Sequence, residues 1–174
     1  RRASSPLVRR AQQAIWTLKR MDFYEQCVMK FLTANGTSFI SPQLSIPYIQ
    51  EIDSGGSLPD FVVIRPSLKE CWIVEVTATG SIRGLSSKFA TAEKQWLGAL
   101  RKTMIQNGIA NAEWSFSMLA FVRTDKLNEF SRYTRGVDNL VVWPLEFTFE
   151  HWKWPPGVRS PEFDFRNNEI ASTS

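Results

Sequence analysis

Apolar and polar positions recur in two different rhythms along this chain, and the switches between them divide it into elements. From Pro6 to Ala34 the rhythm is helical. Ile15, Leu18, Asp22, Glu25, Met29 and Leu32 recur near 3.6-residue spacing, Phe23, Cys27 and Phe31 widen the apolar side, and Asn35-Gly36 ends it. Ser38 to Ile49 reads as extended, with Pro42 and Pro47 marking an edge or a bend. Asp53 to Ser57 is a loop. Pro59 to Arg65 is a short, continuously apolar strand, Pro66-Ser67 turns the chain, and Cys71 to Ala78 returns as the second arm of a hairpin. Beyond Gly80, a helix capped by Ser86 or Ser87 runs to about Gln106, its core face formed by Phe89, Trp96, Leu100 and Met104. Trp114 to Arg123 is a strand, Lys126 to Tyr133 a short helix, and Leu140 to Trp143 a further strand. Leu145 to Trp154 reads as one more strand, and 158–174 as an irregular tail. A helix between the Cys71 strand and the Trp114 strand requires a right-handed crossover, so those two strands are parallel. The expectation is a single α/β domain over 1–174. Its mixed central sheet is flanked by helices in the order α-β-β-β-α-β, with extra C-terminal strands.

Composition narrows the classes. An apolar fraction of 43% with seven tryptophans excludes a disordered chain, and no apolar run approaches the ~18 residues of a membrane span. Two cysteines, Cys27 and Cys71, both in apolar surroundings, read as reduced core residues and point to an intracellular location, cytoplasm or nucleus. The single histidine, His151, excludes sites built from several histidines. A net charge of +4 is compatible with nucleic acid, and residues 1–10 read as a basic arm. The chain opens on Arg1 rather than Met, and is expected to be part of a larger polypeptide or multiprotein machine.

The candidate chemistry lies in the hairpin. Side chains two apart in a strand share a face, so Cys71, Ile73, Glu75 and Thr77 lie together, and Glu75 is the charged residue of an otherwise apolar Trp-Ile-Val-Glu-Val run. Asp60 opens the partner strand. Two carboxylates among Val, Ile and Trp are costly to bury unless something positive compensates them. A hard divalent cation, Mg²⁺ or Mn²⁺, does so with oxygen ligands, and a carboxylate-held cation on a sheet points to phosphodiester cleavage. Glu25, near the apolar face of the first helix, is the candidate third carboxylate, with Asp22, Glu51 and Asp53 as alternatives. The backbone carbonyl of Val76 adjoins Glu75 as a further ligand. A cation is also needed to orient the attacking water, and Lys88 or Lys94 on the helix after Gly80 can supply it. Lys88 is nearer the strand end and is preferred.

Pro59-Asp60, Glu75 and a helix lysine together resemble the PD-(D/E)XK, or restriction-endonuclease-like, nuclease superfamily. Thr77 stands where that motif usually has its lysine. A lysine displaced to the following helix is similar to the arrangement in cap-snatching and retroelement restriction-like endonucleases, although the metal-binding histidine common in the former has no counterpart here. The resemblance implies a Mg²⁺- or Mn²⁺-dependent endonuclease acting on DNA or RNA. Asp60, Glu75 and Lys88 would be catalytic, and Glu25, Asp60, Glu75 and the Val76 carbonyl would hold the metal. The alternatives are a nuclease-fold module that binds nucleic acid or a protein partner without cutting, and an assembly protein using its aromatic C-terminal strands. Trp143, Trp152 and Trp154 read as a packed lid in preference to a base-stacking platform.

Overall fold

The computed structural model describes residues 21–34, 36–47, 56–78, 82–92, 96–150 and 165–166. Helix α1 (Phe23–Thr33) begins where Asp22 accepts the Glu25 N–H at 2.8 Å while the Glu25 carboxylate accepts the Asp22 N–H at 3.0 Å, a reciprocal capping box. Three strands precede the hairpin: β1 (Phe39–Pro42), β2 (Ile46–Pro47) and β3 (Gly56–Ser57). The hairpin itself is β4 (Phe61–Arg65) and β5 (Glu70–Thr77). Helices α2 (Arg83–Ala92) and α3 (Gly98–Gln106) lead to β6 (Ser115–Val122), then α4 (Leu127–Tyr133), β7 (Leu140–Pro144) and α5 (Phe147–Glu150).

Five strands form one open mixed sheet in the order β1-β4-β5-β6-β7, with β2 and β3 paired separately. The β1–β4 and β4–β5 pairs are antiparallel, and β5–β6 and β6–β7 are parallel. The centre of the sheet is therefore β5, which explains why its residues from Glu70 to Val74 are all buried. On one face Cys71, Ile73, Met118, Ala120 and Val122 pack against Phe89, Leu97, Leu100 and Met104 of the α2–α3 segment. On the other, Trp72, Val74, Leu119 and Phe121 pack against Val28, Phe31 and Leu32 of α1. The fold is thus α/β with helices on both faces of a single mixed sheet. Among the described residues no helix is long and apolar enough to cross a membrane.

Several boundaries differ from the sequence reading. The Pro6–Ala34 helix is seen only as α1, because the Asp22–Glu25 box starts a helix at Phe23; residues 1–20 lie outside the described residues, as do the basic arm, Glu51, Asp53, Lys94 and His151. The expected extended run after Ser38 is broken at Gln43, whose φ of 49° turns the chain between β1 and β2. Gly56 and Ser57, read as loop, pair with β2. The helix after Gly80 begins at Arg83, earlier than a Ser86 or Ser87 cap. Ser86 sits inside its first turn, where its hydroxyl donates to the Arg83 carbonyl at 3.0 Å. The strand expected from Leu145 is instead helical over Phe147–Glu150. Thr148 donates back to the Leu145 carbonyl at 2.8 Å, and Phe147 packs edge-on against Trp143 and Phe31. Within the expected irregular tail, Phe165 is buried edge-on against Trp72, and its carbonyl accepts the Trp143 indole N–H at 3.2 Å.

Two measurements check this packing. Phe31 joins α1 to Phe121 and Trp143, so Phe31→Ala is expected to cost about 3–5 kcal/mol in urea denaturation. A loss below about 1 kcal/mol contradicts the α1 contact. Cys27 and Cys71 are both free and buried, and burial pushes the Cys71 thiol from 9.0 up to about 12. The folded state therefore keeps this thiol neutral. The stability it carries is complete below pH 9 and is lost as pH rises from there toward about 12. Iodoacetamide at about pH 8.5 is expected to spare Cys71 in the native protein and modify it in urea, read by mass spectrometry.

Candidate functional site

Hairpin register positions the two central carboxylates. The last pair of the β4–β5 ladder is Phe61 with Val74, so Asp60 and Glu75 each lie one residue beyond it. Glu75 lies on the face shared with Ile73, since alternate residues of a strand point the same way. Asp60 is fixed there by its Oδ2, which accepts the Val76 N–H at 2.8 Å. In a strand, the N–H and C=O of one residue point toward the same neighbour, so the Val76 carbonyl is directed to the Asp60 side of β5.

Glu75 is 4% exposed. Its neighbour across the parallel pair is Ala120, whose methyl group leaves the carboxylate room on that side. The Lys88 ammonium lies 3.6 Å from Glu75 Oε2 and 5.7 Å from the centre of the Trp96 ring. Lys88 is half-exposed, so its charged end joins a buried carboxylate to solvent. Because α2 starts at Arg83, Lys88 belongs to its second turn, directly after the crossover from β5. The cation thus reaches the carboxylate from a different element than Thr77, which is buried two residues along the strand.

Glu25 is placed differently. It is buried on α1, which packs on the sheet face opposite Glu75, and one of its oxygens caps its own helix. Among the described residues no three His, Cys, Asp or Glu side chains cluster as a metal-holding group. The structure therefore joins Asp60 to the Val76 N–H and Lys88 to Glu75, and commits one oxygen of Glu25 to its own helix cap.

The sequence reading missed a second charged cluster at the far end of β5. Arg65 and Glu70 flank the hairpin turn and form a buried pair at 3.3 Å. The Trp72 indole donates to the same Glu70 oxygen at 3.1 Å, and Arg166 meets the other oxygen at 3.3 Å. The Arg65 and Glu70 positions were legible as charges closing a hairpin; Arg166, about a hundred residues away, was not.

The Lys88–Glu75 pair predicts a measurable coupling. Lys88→Met alone is expected to cost about 1–2 kcal/mol, and adding Glu75→Gln to recover part of it, for a coupling near 1 kcal/mol in a double-mutant cycle followed by urea denaturation. Coupling indistinguishable from zero would show that the pair has no role in stability.

Comparison of the chain with protein-family models, with curated proteins and with solved structures returned no match.

Proposed function

We propose that this chain is a metal-dependent nuclease of the restriction-endonuclease-like kind, with its site at the Asp60 end of the hairpin. One observation carries the proposal: Asp60, next to the end of β4, accepts the N–H of Val76 at 2.8 Å beside Glu75, whose buried carboxylate lies 3.6 Å from the Lys88 ammonium. The donor set fits a hard divalent cation. Two carboxylates with a backbone carbonyl directed to the same side are all oxygen, and Mg²⁺ characteristically takes one or two carboxylates and completes its shell with water and substrate phosphate. Asp60, Glu75 and the Val76 carbonyl would hold Mg²⁺ or Mn²⁺, which when bound polarises the phosphate and acidifies a water. Glu25 takes part in this reading only by giving up its cap on α1.

The protein's own groups have separate tasks. The Val76 N–H fixes the Asp60 carboxylate, so that its orientation is set before any ligand arrives. Burial of Glu75 keeps water from competing for its oxygens. Lys88, held over Trp96, places a positive charge at the mouth of the site, where it orients the attacking water and offsets charge developing on phosphorus. That is the task Thr77 lacks the charge to perform. DNA and RNA both present the required phosphodiester.

A second reading has its own support. Lys88 already neutralises Glu75, and Glu25 is committed to its helix. Such a site suits a module that binds nucleic acid without cutting it. Incubation of the chain with single- and double-stranded DNA and RNA in Mg²⁺, Mn²⁺ or EDTA separates the two. Cleavage is expected with Mn²⁺ and not with EDTA. Asp60→Asn and Glu75→Gln, each checked for folding by circular dichroism, are expected to lower the rate by at least about 10², and Lys88→Ala by about 10²–10⁴. Undiminished cleavage in both carboxylate variants overturns the site. Salt-sensitive binding without cleavage selects the second reading, and no retention at low salt removes both.

A further inference from the structure

The opposite end of the sheet holds a cavity of ≈ 450 Å³. Arg101, Arg166, Ser115, Ser117, Asn139 and Trp72 line it, and none of its lining residues is a carboxylate. Its volume lies within the ~300–1,000 Å³ range of small-ligand sites. Glu75 lies five residue steps along β5 from Glu70, about 17 Å at ~3.3 Å per residue, so this cavity is distinct from the Asp60 and Glu75 end of the hairpin.

Its two guanidiniums are held in place. Arg101 lies over the Phe116 ring at 5.2 Å, and no carboxylate is paired with it among the described residues. Arg166 donates to the Ser115 hydroxyl at 2.9 Å, meets Glu70 at 3.3 Å, and lies 5.9 Å from the centre of the Trp72 ring. Glu70 is shared with Arg65, which is 2% exposed and whose Nε has no hydrogen-bond partner. Glu70 thus contacts two guanidiniums, and Arg101 and Arg166 are the charged residues among those that line the cavity. Asn139 adds a side-chain amide from a residue in the left-handed region, φ 57°, and its carbonyl accepts the Met118 N–H at 2.7 Å, which holds that turn against the start of β6.

Two forked guanidinium donors, hydroxyls and an amide around one cavity whose lining holds no carboxylate suit a tetrahedral oxyanion. We propose that this cavity binds a phosphate group, with Arg101 and Arg166 as its charged ligands and Ser117 and Asn139 as neutral donors. The phosphate arises either as a free phosphate or monoester, or as one phosphodiester of a nucleic-acid strand. This proposal stands whether or not the Asp60–Glu75 site is catalytic.

Isothermal titration of the full chain with inorganic phosphate at low salt tests it. One saturable site is expected. Arg101→Gln is expected to weaken it about tenfold or more, while Lys102→Gln, the exposed neighbour on the same helix, changes it less than about twofold. Asp60→Asn is expected to leave it unchanged, which separates this result from the fate of the nuclease reading. A short strand without terminal phosphate then identifies the source. If it displaces phosphate in an Arg101-dependent way, the ligand is a phosphodiester; if it does not, the ligand is a free phosphate or monoester, and either result retains the site. Absence of saturable binding, or equal weakening by Arg101→Gln and Lys102→Gln, overturns the proposal.

Discussion

A carboxylate buried in the central strand of a sheet constrains everything near it. Glu75 lies in β5, with β4 on one side and β6 on the other, and is almost inaccessible to water. An isolated charge in such a place would cost several kcal/mol. Lys88 offsets that cost by bringing a cation from the helix that follows, and the small side chain of Ala120 stands beside Glu75 in the parallel pair. The crossover from β5 into α2 is what allows Lys88 to arrive, so the parallel β5–β6 pair and the ion pair depend on one another.

The sheet is polarised along the strand direction. One end of β5 carries Asp60, Glu75 and a single half-exposed lysine. The other carries Arg65 and Arg166 on Glu70, with Arg101 across the neighbouring cavity. Between them the strand is apolar on both faces, which keeps the two clusters from neutralising each other through direct contact. The guanidinium end also ties Phe165 and Arg166 to the body of the sheet, through Trp72 and Trp143.

Local pattern was enough for much of this architecture. The hairpin, the crossover helix, the β6 strand and the short helix after Lys126 were legible because each has an unbroken period bounded by Gly, Pro or Asn. The failures have specific causes. Leu145 to Trp154 is rich in aromatics and reads as strand, yet Phe147 turns inward onto Trp143 and Phe31, and the chain coils to let it. Asp22 was placed inside a helix because its neighbours fit a helical stripe. Its capping box, an Asp followed three residues later by Glu, was present in the sequence and outweighs that stripe.

For the site, sequence alone determined that Asp60 and Glu75 would stand at the same end of two paired strands. Alternation along a strand and a short turn leave few registers for a hairpin with one buried side. It also determined that a lysine would follow the strand on a helix. Tertiary structure decided the rest. Whether Lys88 reaches Glu75 depends on the pitch of α2 over the sheet, and whether Glu25 joins them depends on which face α1 covers. Neither is encoded in local periodicity, because each is set by how whole elements pack. The Arg65–Glu70–Arg166 cluster carries the same lesson: its members become neighbours only when the chain near residue 166 returns to the start of β5.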